Sequence, residues 1–487
     1  MKKLFLISIS TFIIIFLIGM YDILSPSKSI FGASSKILPA PLKSFIKEKI
    51  FYVPSKMKKA DELSKDIEFQ KKIYVDAKKS STLVYQDYIK LLDNYDIKLF
   101  KREKIKSKQD TLYELSIYKI PLLEYYLFED KPIAYLEVID DYLITVSGDG
   151  YFFKSIINDE LSSLSHFKKI NSNLHEFEEY NKIVNPGWMS IKDVKVFEDN
   201  IYIAITEEVK KDCYNLSILK SKINQIDYFN FEKIYNMEQC QSSNVNEFLG
   251  WQSGGRLEIF ENYILLSVGD FRNRNHPQDK NSLFGKLVAI DLNTKENLIV
   301  SMGHRNIQGL LVSDDVVIST EHGPAGGDEI NVHKNIFSNN DIPNYGWPLA
   351  SYGRHYQKVI NLNRSKGTLD TLINIAPLKK SHKENGFIEP IKYFAPGSVA
   401  ASEIEQSNQI FDKNFSNDFY FGVLRNNSKY RGRLYHFKFD ESYEKILFED
   451  EIILNQRIRD IIIPKNKDKM YLLLESIPAI GIVKKLQ

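Results

Sequence analysis

The sequence predicts an all-β fold, a six-bladed β-propeller, on three observations. After Tyr113 a unit recurs: an apolar strand, a tight Asp/Asn turn, a second apolar strand, then a polar or Gly-bearing loop. The copies follow one another at intervals of roughly sixty residues, which makes about six of them. Aromatic residues reach 13%, with Gly and Asn at spaced intervals, a composition that suits short strands and turns. One such unit cannot bury both faces of its sheet, so the units must stack radially and shield each other's edges. The 487 residues, 43% of them hydrophobic, are enough to build that core, and a net charge of +2 gives no reason to expect a nucleic-acid partner.

Taken in order, the chain divides at 1–22, 23–112 and 113–487. Met1-Lys2-Lys3 precedes a mostly apolar run from Leu4 to Tyr21, long enough to span a bilayer as a transmembrane helix. The flanking lysines favour a cytoplasmic N-terminus. That expectation makes residues 1–22 a single-pass inner-membrane signal-anchor and puts the propeller on the periplasmic, extracytoplasmic side. A cleaved signal peptide is the competing reading; its small residues would be Gly32-Ala33-Ser34-Ser35, some way beyond the run. Ser25 to Ser35 reads as a linker. From Lys56 to Lys108 the pairs Leu63/Ile67, Phe69/Ile73 and Tyr85/Ile89 share a helical face, so the segment reads as a short helical, charged stalk. Lys98 to Lys108 reads equally as a solvated spacer.

The repeats then follow. Ala134–Val138 turns at Asp140-Asp141 into Tyr142–Val146, and Asp193–Phe197 turns at Asp199-Asn200 into Ile201–Ile205. Arg256–Phe260 turns at Glu261-Asn262 into Tyr263–Leu266, and Gly309–Val312 turns at Asp314-Asp315 into Val316–Ser319. Asp460–Ile463 turns at Lys467-Asp468 into Met470–Leu474, and a looser copy runs from Ser398 to Gly422. The spacing before Ser398 is longer, so Ser338–Pro396 must hold an insertion above the blades. Cys213 and Cys240 form one possible pair: a disulfide if the compartment is oxidising, otherwise two buried thiols.

The chemistry concentrates between Met302 and Pro348. Gly303-His304-Arg305-Asn306-Ile307-Gln308-Gly309 leads into a short strand, and Glu321-His322-Gly323-Pro324-Ala325-Gly326-Gly327-Asp328-Glu329 leaves it. Asn344-Tyr345-Gly346-Trp347-Pro348 closes the stretch. Taken singly these are turn sequences. Two such loops flanking one strand are how a scaffold presents a site at its rim.

These segments resemble the soluble quinoprotein glucose/sorbosone dehydrogenases. Gly254-Gly255-Arg256-Leu257, Gly269-Asp270, Gln278–Ser282 with Gly285-Lys286, and Arg457-Ile458-Arg459-Asp460 match in the same order. The resemblance covers Tyr113 to the C-terminus. It implies a six-bladed propeller that binds pyrroloquinoline quinone (PQQ) and calcium and oxidises a sugar. By that resemblance Arg305 and Asn306 contact the quinone, and Arg457 and Arg459 hold its carboxylates, to which guanidinium forks are suited. His322 lies beside the cofactor, and Arg425 falls near a cofactor-contacting lysine. The carbonyls of Gly323 and Pro324 hold the calcium, an oxygen-seeking ion. Asp328 and Glu329 resemble a second, structural calcium site.

One position departs from the pattern. The family's general base is a histidine three residues before the Gly-Arg-Leu tripeptide, and here that position is Gln252. A neutral amide cannot take the hydroxyl proton. His276, His322 and His304 are the candidate substitutes, although His304 reads first as a structural donor in its turn. Arg457 and Arg459, alternating on a strand, could instead pair with Asp460 or Glu475. Asp328 and Glu329 could instead cap a loop, and Trp251 and Trp347 read as packing residues. Two functions follow from this reading. One is PQQ-dependent oxidation of an aldose or related alcohol or aldehyde. The other is a catalytically inactive propeller serving as a binding or scaffold module for a glycan or protein partner.

Overall fold

In the computed structural model the described residues are 97, 99–120, 134–148, 150–157, 164–174, 191–224, 226–245, 247–337, 341–412, 417–425 and 431–486. The apolar run of Leu4–Tyr21 and the helical pairs expected in the stalk lie outside them. Among the described residues no helix is long and apolar enough to cross a membrane.

The described residues form six sheets, antiparallel except for one short parallel pair. Two strands, β1 (Leu99–Lys106) and β2 (Leu112–Lys119), come first. Blade 1 is β3 (Ala134–Ile139), β4 (Tyr142–Ser147), β5 (Phe152–Ile157) and β6 (Leu164–Ser172). Blade 2 is β7 (Ile191–Phe197), β8 (Asn200–Lys210) and β9 (Cys213–Lys222). Next, β10 (Tyr228–Phe229) pairs in parallel with β6, while β11 (Glu232–Asn236) and β12 (Gln241–Ser242) both pair with β9. Blade 3 is β13 (Gly254–Phe260), β14 (Tyr263–Val268), β15 (Lys286–Asp291) and β16 (Asn297–Met302). Blade 4 is β17 (Ile307–Ser313), β18 (Val316–Glu321) and β19 (Glu329–Lys334). An insertion carrying helices α1 (Gln357–Ser365) and α2 (Leu369–Ile375) precedes its last strand, β20 (Lys392–Tyr393). Blade 5 is β21 (Ala401–Gln406), β22 (Asp418–Val423), β23 (Arg433–Phe439) and β24 (Ile446–Ile453). Blade 6 is β25 (Ile458–Ile462), β26 (Met470–Leu474) and β27 (Ala479–Lys485), completed by β2 and β1.

The ring is therefore closed by the two ends of the propeller. β2 pairs antiparallel with β27, from Tyr113 opposite Lys485 to Lys119 opposite Ala479. The inner strands β3, β7, β13, β17, β21 and β25 each pack against the next, and β25 packs against β3. Apolar side chains fill the space between neighbouring sheets. Phe152 of blade 1, for example, lies in one cluster with Ile201, Ile203 and Leu219 of blade 2.

The stalk reading is corrected at its end. Leu99–Lys106 is a strand, not part of a helix or a spacer. Most of its side chains are exposed, because it is the outer edge of blade 6, and lysines on an edge discourage pairing with another chain. The cysteine question also resolves: Cys213 and Cys240 are joined in a disulfide.

A knot of buried charge holds the inner strands together. Arg256, 2% exposed, lies 3.0 Å from Asp193 Oδ1, 3.0 Å from Asp460 Oδ1 and 2.6 Å from Glu403 Oε2. The second oxygens of these carboxylates accept backbone N–H groups from other blades: Leu257 to Asp193 at 2.7 Å and Leu136 to Asp460 at 2.7 Å. Leu310 does the same to Glu403 Oε1 at 3.1 Å. Each carboxylate thus stitches strand to strand while facing one shared guanidinium, the arrangement that makes buried charge tolerable.

Candidate functional site

The loops that begin and end the inner strands of blades 4, 5 and 6 meet at one end of the ring. Arg305 precedes β17, and its Nη1 donates to the His322 carbonyl at 2.9 Å. Its guanidinium stands over Trp347, 5.6 Å from the ring centre. Trp347 is buried and donates its indole N–H to Asp270 Oδ2 at 2.9 Å, so it is a packing residue, as expected. The Arg305 backbone N–H donates to Glu321. Glu321 also meets His304 Nδ1 at 2.9 Å, and His304 Nε2 pairs with Ser301 Oγ at 2.8 Å. His304 is therefore the structural residue of its turn and carries no free ring nitrogen.

The Gly-Pro-Ala-Gly-Gly loop folds back on itself tightly. A Cβ on Gly326 would lie 2.1 Å from Pro396 Cα, and one on Gly327 would lie 2.1 Å from Gly353 N. Both glycines have positive φ, so these two positions require glycine for space and for conformation. The insertion crosses the loop at this point, which places Arg354 and Tyr356 beside it. A cavity of about 280 Å³ opens here, and its lining includes His322, Gly323, Pro324, Arg354, Tyr356 and Arg425.

Positive charge dominates this end of the ring. Enclosure by protein, and then the charges of Arg305, Arg459 and Arg457, push the His322 imidazole down to about 3. Its Nε2–H donates to the Ala401 carbonyl at 2.6 Å. His322 is thus a neutral, oriented ring rather than a base poised near neutral pH. Arg457 and Arg459 share one acid: Glu475 lies 2.9 Å from Arg457 Nη2 and 2.6 Å from Arg459 Nε. This is one of the pairings their alternation allowed. Two guanidiniums on one carboxylate leave a net positive charge facing the site. Arg425 is exposed and donates its Nε–H to the Gly397 carbonyl at 2.9 Å. Arg272, missed by the sequence reading, stands over Tyr356, 5.9 Å from its ring centre.

The other carried-over residues are more enclosed. The Asn306 side-chain oxygen accepts the Gly254 N–H at 3.1 Å and bonds Gln308 Nε2 at 3.3 Å, joining blade 4 to blade 3. Asp328 accepts N–H groups from Ala401, at 3.1 Å, and from Gly323. Burial pushes its carboxyl up to about 7. Glu329 is buried near Glu321 and is held well above the usual carboxylate range, first by burial and then by that like charge. Among the described residues no group of three or more His, Cys, Asp or Glu is arranged to hold a metal.

Gln252 ends a short 3-10 turn (Gly250–Gln252) immediately before β13. It is buried, and its Oε1 has no hydrogen-bond partner among the described residues. His276 does not replace a base there: its Nε2 pairs with Gln241 at 2.7 Å and its Nδ1 with Ser282 at 2.9 Å.

Two further residues near the site went unread in the sequence. Arg354 and Tyr356 belong to the insertion, whose path over the loop no local pattern discloses.

Comparison with known proteins agrees with this architecture. Over 120 residues the chain is 38% identical to the aldose sugar dehydrogenase YliI of Escherichia coli (strain K12), an alignment covering 21% of this chain and 30% of that protein. A glucose dehydrogenase structure superposes with a TM-score of 0.55 at 18% identity, covering 80% of this chain and 99% of that one. The PQQ-bound aldose sugar dehydrogenase of Streptomyces coelicolor superposes with a TM-score of 0.50 at 14% identity, covering 81% and 98%. These two structures speak for the fold. The family model for glucose/sorbosone dehydrogenases matches residues 142–479, and the chain belongs to that family.

Proposed function

We propose that the propeller is a PQQ-dependent oxidoreductase acting on an aldose sugar or a related alcohol or aldehyde. The observation that carries this reading is a cavity lined by His322, Gly323, Pro324, Arg354 and Arg425, with Arg305 bonded to the His322 carbonyl and the charges of Arg459 and Arg457 acting on its ring. PQQ is a tricarboxylate, and a net-positive set of guanidiniums is the donor set such a molecule requires. Arg457 and Arg459 would hold its carboxylates, with Arg425 as a further cation at the cavity wall. Arg305, fixed by the His322 carbonyl and by Trp347, would stabilise charge on the reduced ring. The Gly323 and Pro324 carbonyls are oxygen donors of the kind calcium takes. When bound, PQQ supplies the two-electron acceptor and calcium the Lewis acid that polarises it. Asp328, bonded to two backbone N–H groups, keeps the Gly-Pro loop in shape. We further propose that Leu4–Tyr21 anchors the propeller on the extracytoplasmic side of the membrane; a disulfide in the ectodomain supports that placement.

A second reading, a binding module without turnover, draws on Gln252. The amide occupies the base position, and His304 and His276 have both ring nitrogens engaged. The test is to add PQQ and calcium to the purified protein, follow the quinone spectrum, and measure dye reduction with a panel of aldoses. PQQ should bind. Gln252→His should raise turnover by about 100-fold, the lower end of what a positioned base contributes. Absence of PQQ binding would sink the enzymatic reading, whereas binding with no turnover in either protein would favour the second.

A further inference from the structure

The cavity has three walls. The Gly-Pro loop of blade 4 gives one, with His322, Gly323 and Pro324, and the loops of blade 5 give another, with Val399 and Arg425. The insertion gives the third, with Arg354 and Tyr356. The PQQ reading assigns the first two walls to the quinone and its calcium and leaves the third without a role. That wall is nevertheless held in place. The Arg354 carbonyl accepts the Ala325 N–H at 2.8 Å, which ties the insertion to the Gly-Pro loop. The Nε2–H of His355 donates to the Ala376 carbonyl at 2.9 Å. Asn363 of α1 donates to Glu247 at 2.8 Å, and Glu247 also takes Arg274, so α1 is pinned to a loop of blade 3.

The insertion wall is positively charged. Arg354 is exposed and lines the cavity. Arg272, on the loop after β14, brings a second cation to this wall, because its guanidinium stands over the Tyr356 ring. The acids nearby are spoken for. Glu247 holds Arg274 and Asn363. Asp270 accepts the Trp347 indole N–H and the backbone N–H of Arg272, and Asp328 accepts those of Ala401 and Gly323. Among the described residues no ion pair engages Arg272 or Arg354. Burial and then the charge of Arg305 lower the pKa of Arg272, and an anion close by relieves that repulsion.

The cofactor does not need these two arginines. Arg305, Arg425, Arg457 and Arg459 are four guanidiniums, and the Glu475 carboxylate shared by the last two leaves three net positive charges. A tricarboxylate is matched by that set before calcium is counted. We propose that Arg354 and Arg272 set the specificity of the site, and that its substrate is an acidic sugar whose carboxylate or phosphate is held at the insertion wall. Arg354 makes the contact and Arg272 adds to the field. Both anions offer a guanidinium the same two-point acceptor. Holding the acid end at the insertion directs the other end of the sugar toward the Gly-Pro loop, where the PQQ reading places the chemistry. The inference rests on that reading, since it names the substrate of the same site.

The test uses calorimetry on the full-length protein loaded with PQQ and calcium, at low and at high salt. The ligands are methyl glucoside, methyl glucuronide and the phosphate ester of the glucoside, whose blocked anomeric carbons keep the quinone from oxidising them there. At low salt one of the two acids should bind at least about tenfold more tightly than the neutral glucoside, the worth of one charge-assisted hydrogen bond. High salt should narrow that gap. A preference for the glucuronide marks a sugar carboxylate as the substrate's acid, and one for the ester marks a sugar phosphate. Arg354→Gln, at an exposed position, should melt as the wild type does and lower the ratio of acidic to neutral affinity by about tenfold. Arg272→Gln should lower it less, and Arg354→Lys should restore part of it. Equal affinity of the wild type for all three ligands, with PQQ bound, overturns this inference alone. So does an acid preference that survives in both glutamine variants, or acid binding seen only without PQQ, which would give these arginines to the cofactor. No PQQ binding by the wild type overturns the functional reading and this inference with it.

Discussion

Replacing Arg256 with methionine removes the cation shared by Asp193, Glu403 and Asp460. All three carboxylates are within 3.0 Å of Arg256 Nη1, and the guanidinium also donates to the Gln308 carbonyl at 2.8 Å and the Arg459 carbonyl at 3.3 Å. Methionine restores most of the volume, so the loss is electrostatic rather than a cavity. Breaking one buried pair costs about 3–5 kcal/mol. The backbone N–H groups that stay on Asp193, Glu403 and Asp460 keep the cost near that range rather than at three times it. The effect depends on pH with a definite sign. Burial already raises all three carboxyls above their ordinary values. The folded state therefore binds more protons than the unfolded chain, and stability falls as pH rises above the carboxylate range. Without Arg256 these carboxyls rise further and the fall steepens, by up to about 1.4 kcal/mol per pH unit for each proton retained. Urea unfolding of wild type and Arg256→Met at pH 5 and pH 8 measures this. The variant should lose about 3–5 kcal/mol at pH 8 and clearly less at pH 5. A loss below about 1 kcal/mol, or one identical at both pH values, would refute the account of the knot.

The other perturbations act on the closure and the staple. A chain beginning at residue 97 keeps β1 and β2 and should unfold in one cooperative transition, whereas one beginning at residue 120 leaves β27 without its partner and should give a broad, earlier transition by circular dichroism. Replacing Cys213 and Cys240 together with serine opens a loop with a sequence separation of 27 and should cost about 2–4 kcal/mol; reduction of the wild type by dithiothreitol should lower its melting temperature in the same direction, and no change would mean the staple is idle.

The blades were legible because each hairpin carries its own signal. Asp140, Glu198, Glu261 and Asp314 all adopt positive φ in the turns, and the flanking apolar strands alternate or run buried, so periodicity and turn chemistry agree. β1 was not legible. Its lysines and arginine read as solvated, and only the partner strand β2, not its own sequence, makes it a strand. Motifs nominated Arg305, Arg457, Arg459 and the Gly323-Pro324 pair as site residues. Glu475, the acid both arginines share, was one of two that their alternation allowed. Arg354 and Tyr356 escaped because an insertion's path is set by tertiary packing.

The pairing of β2 with β27 also sets an order of events. The sheet that seals the ring joins the first strands of the propeller to its last ones, contacts of the longest sequence separation in the fold. Blades 1 to 5 can form from neighbouring segments as the chain is made, but the circle cannot close until β25–β27 are present. Until then β2 has an open edge and the first and last blades expose apolar flanks. Contacts of this kind come late and slowly, and the half-closed ring is the species most open to aggregation. Substitutions along β2 should therefore lower the yield of folded protein more than they lower the stability of the molecules that succeed.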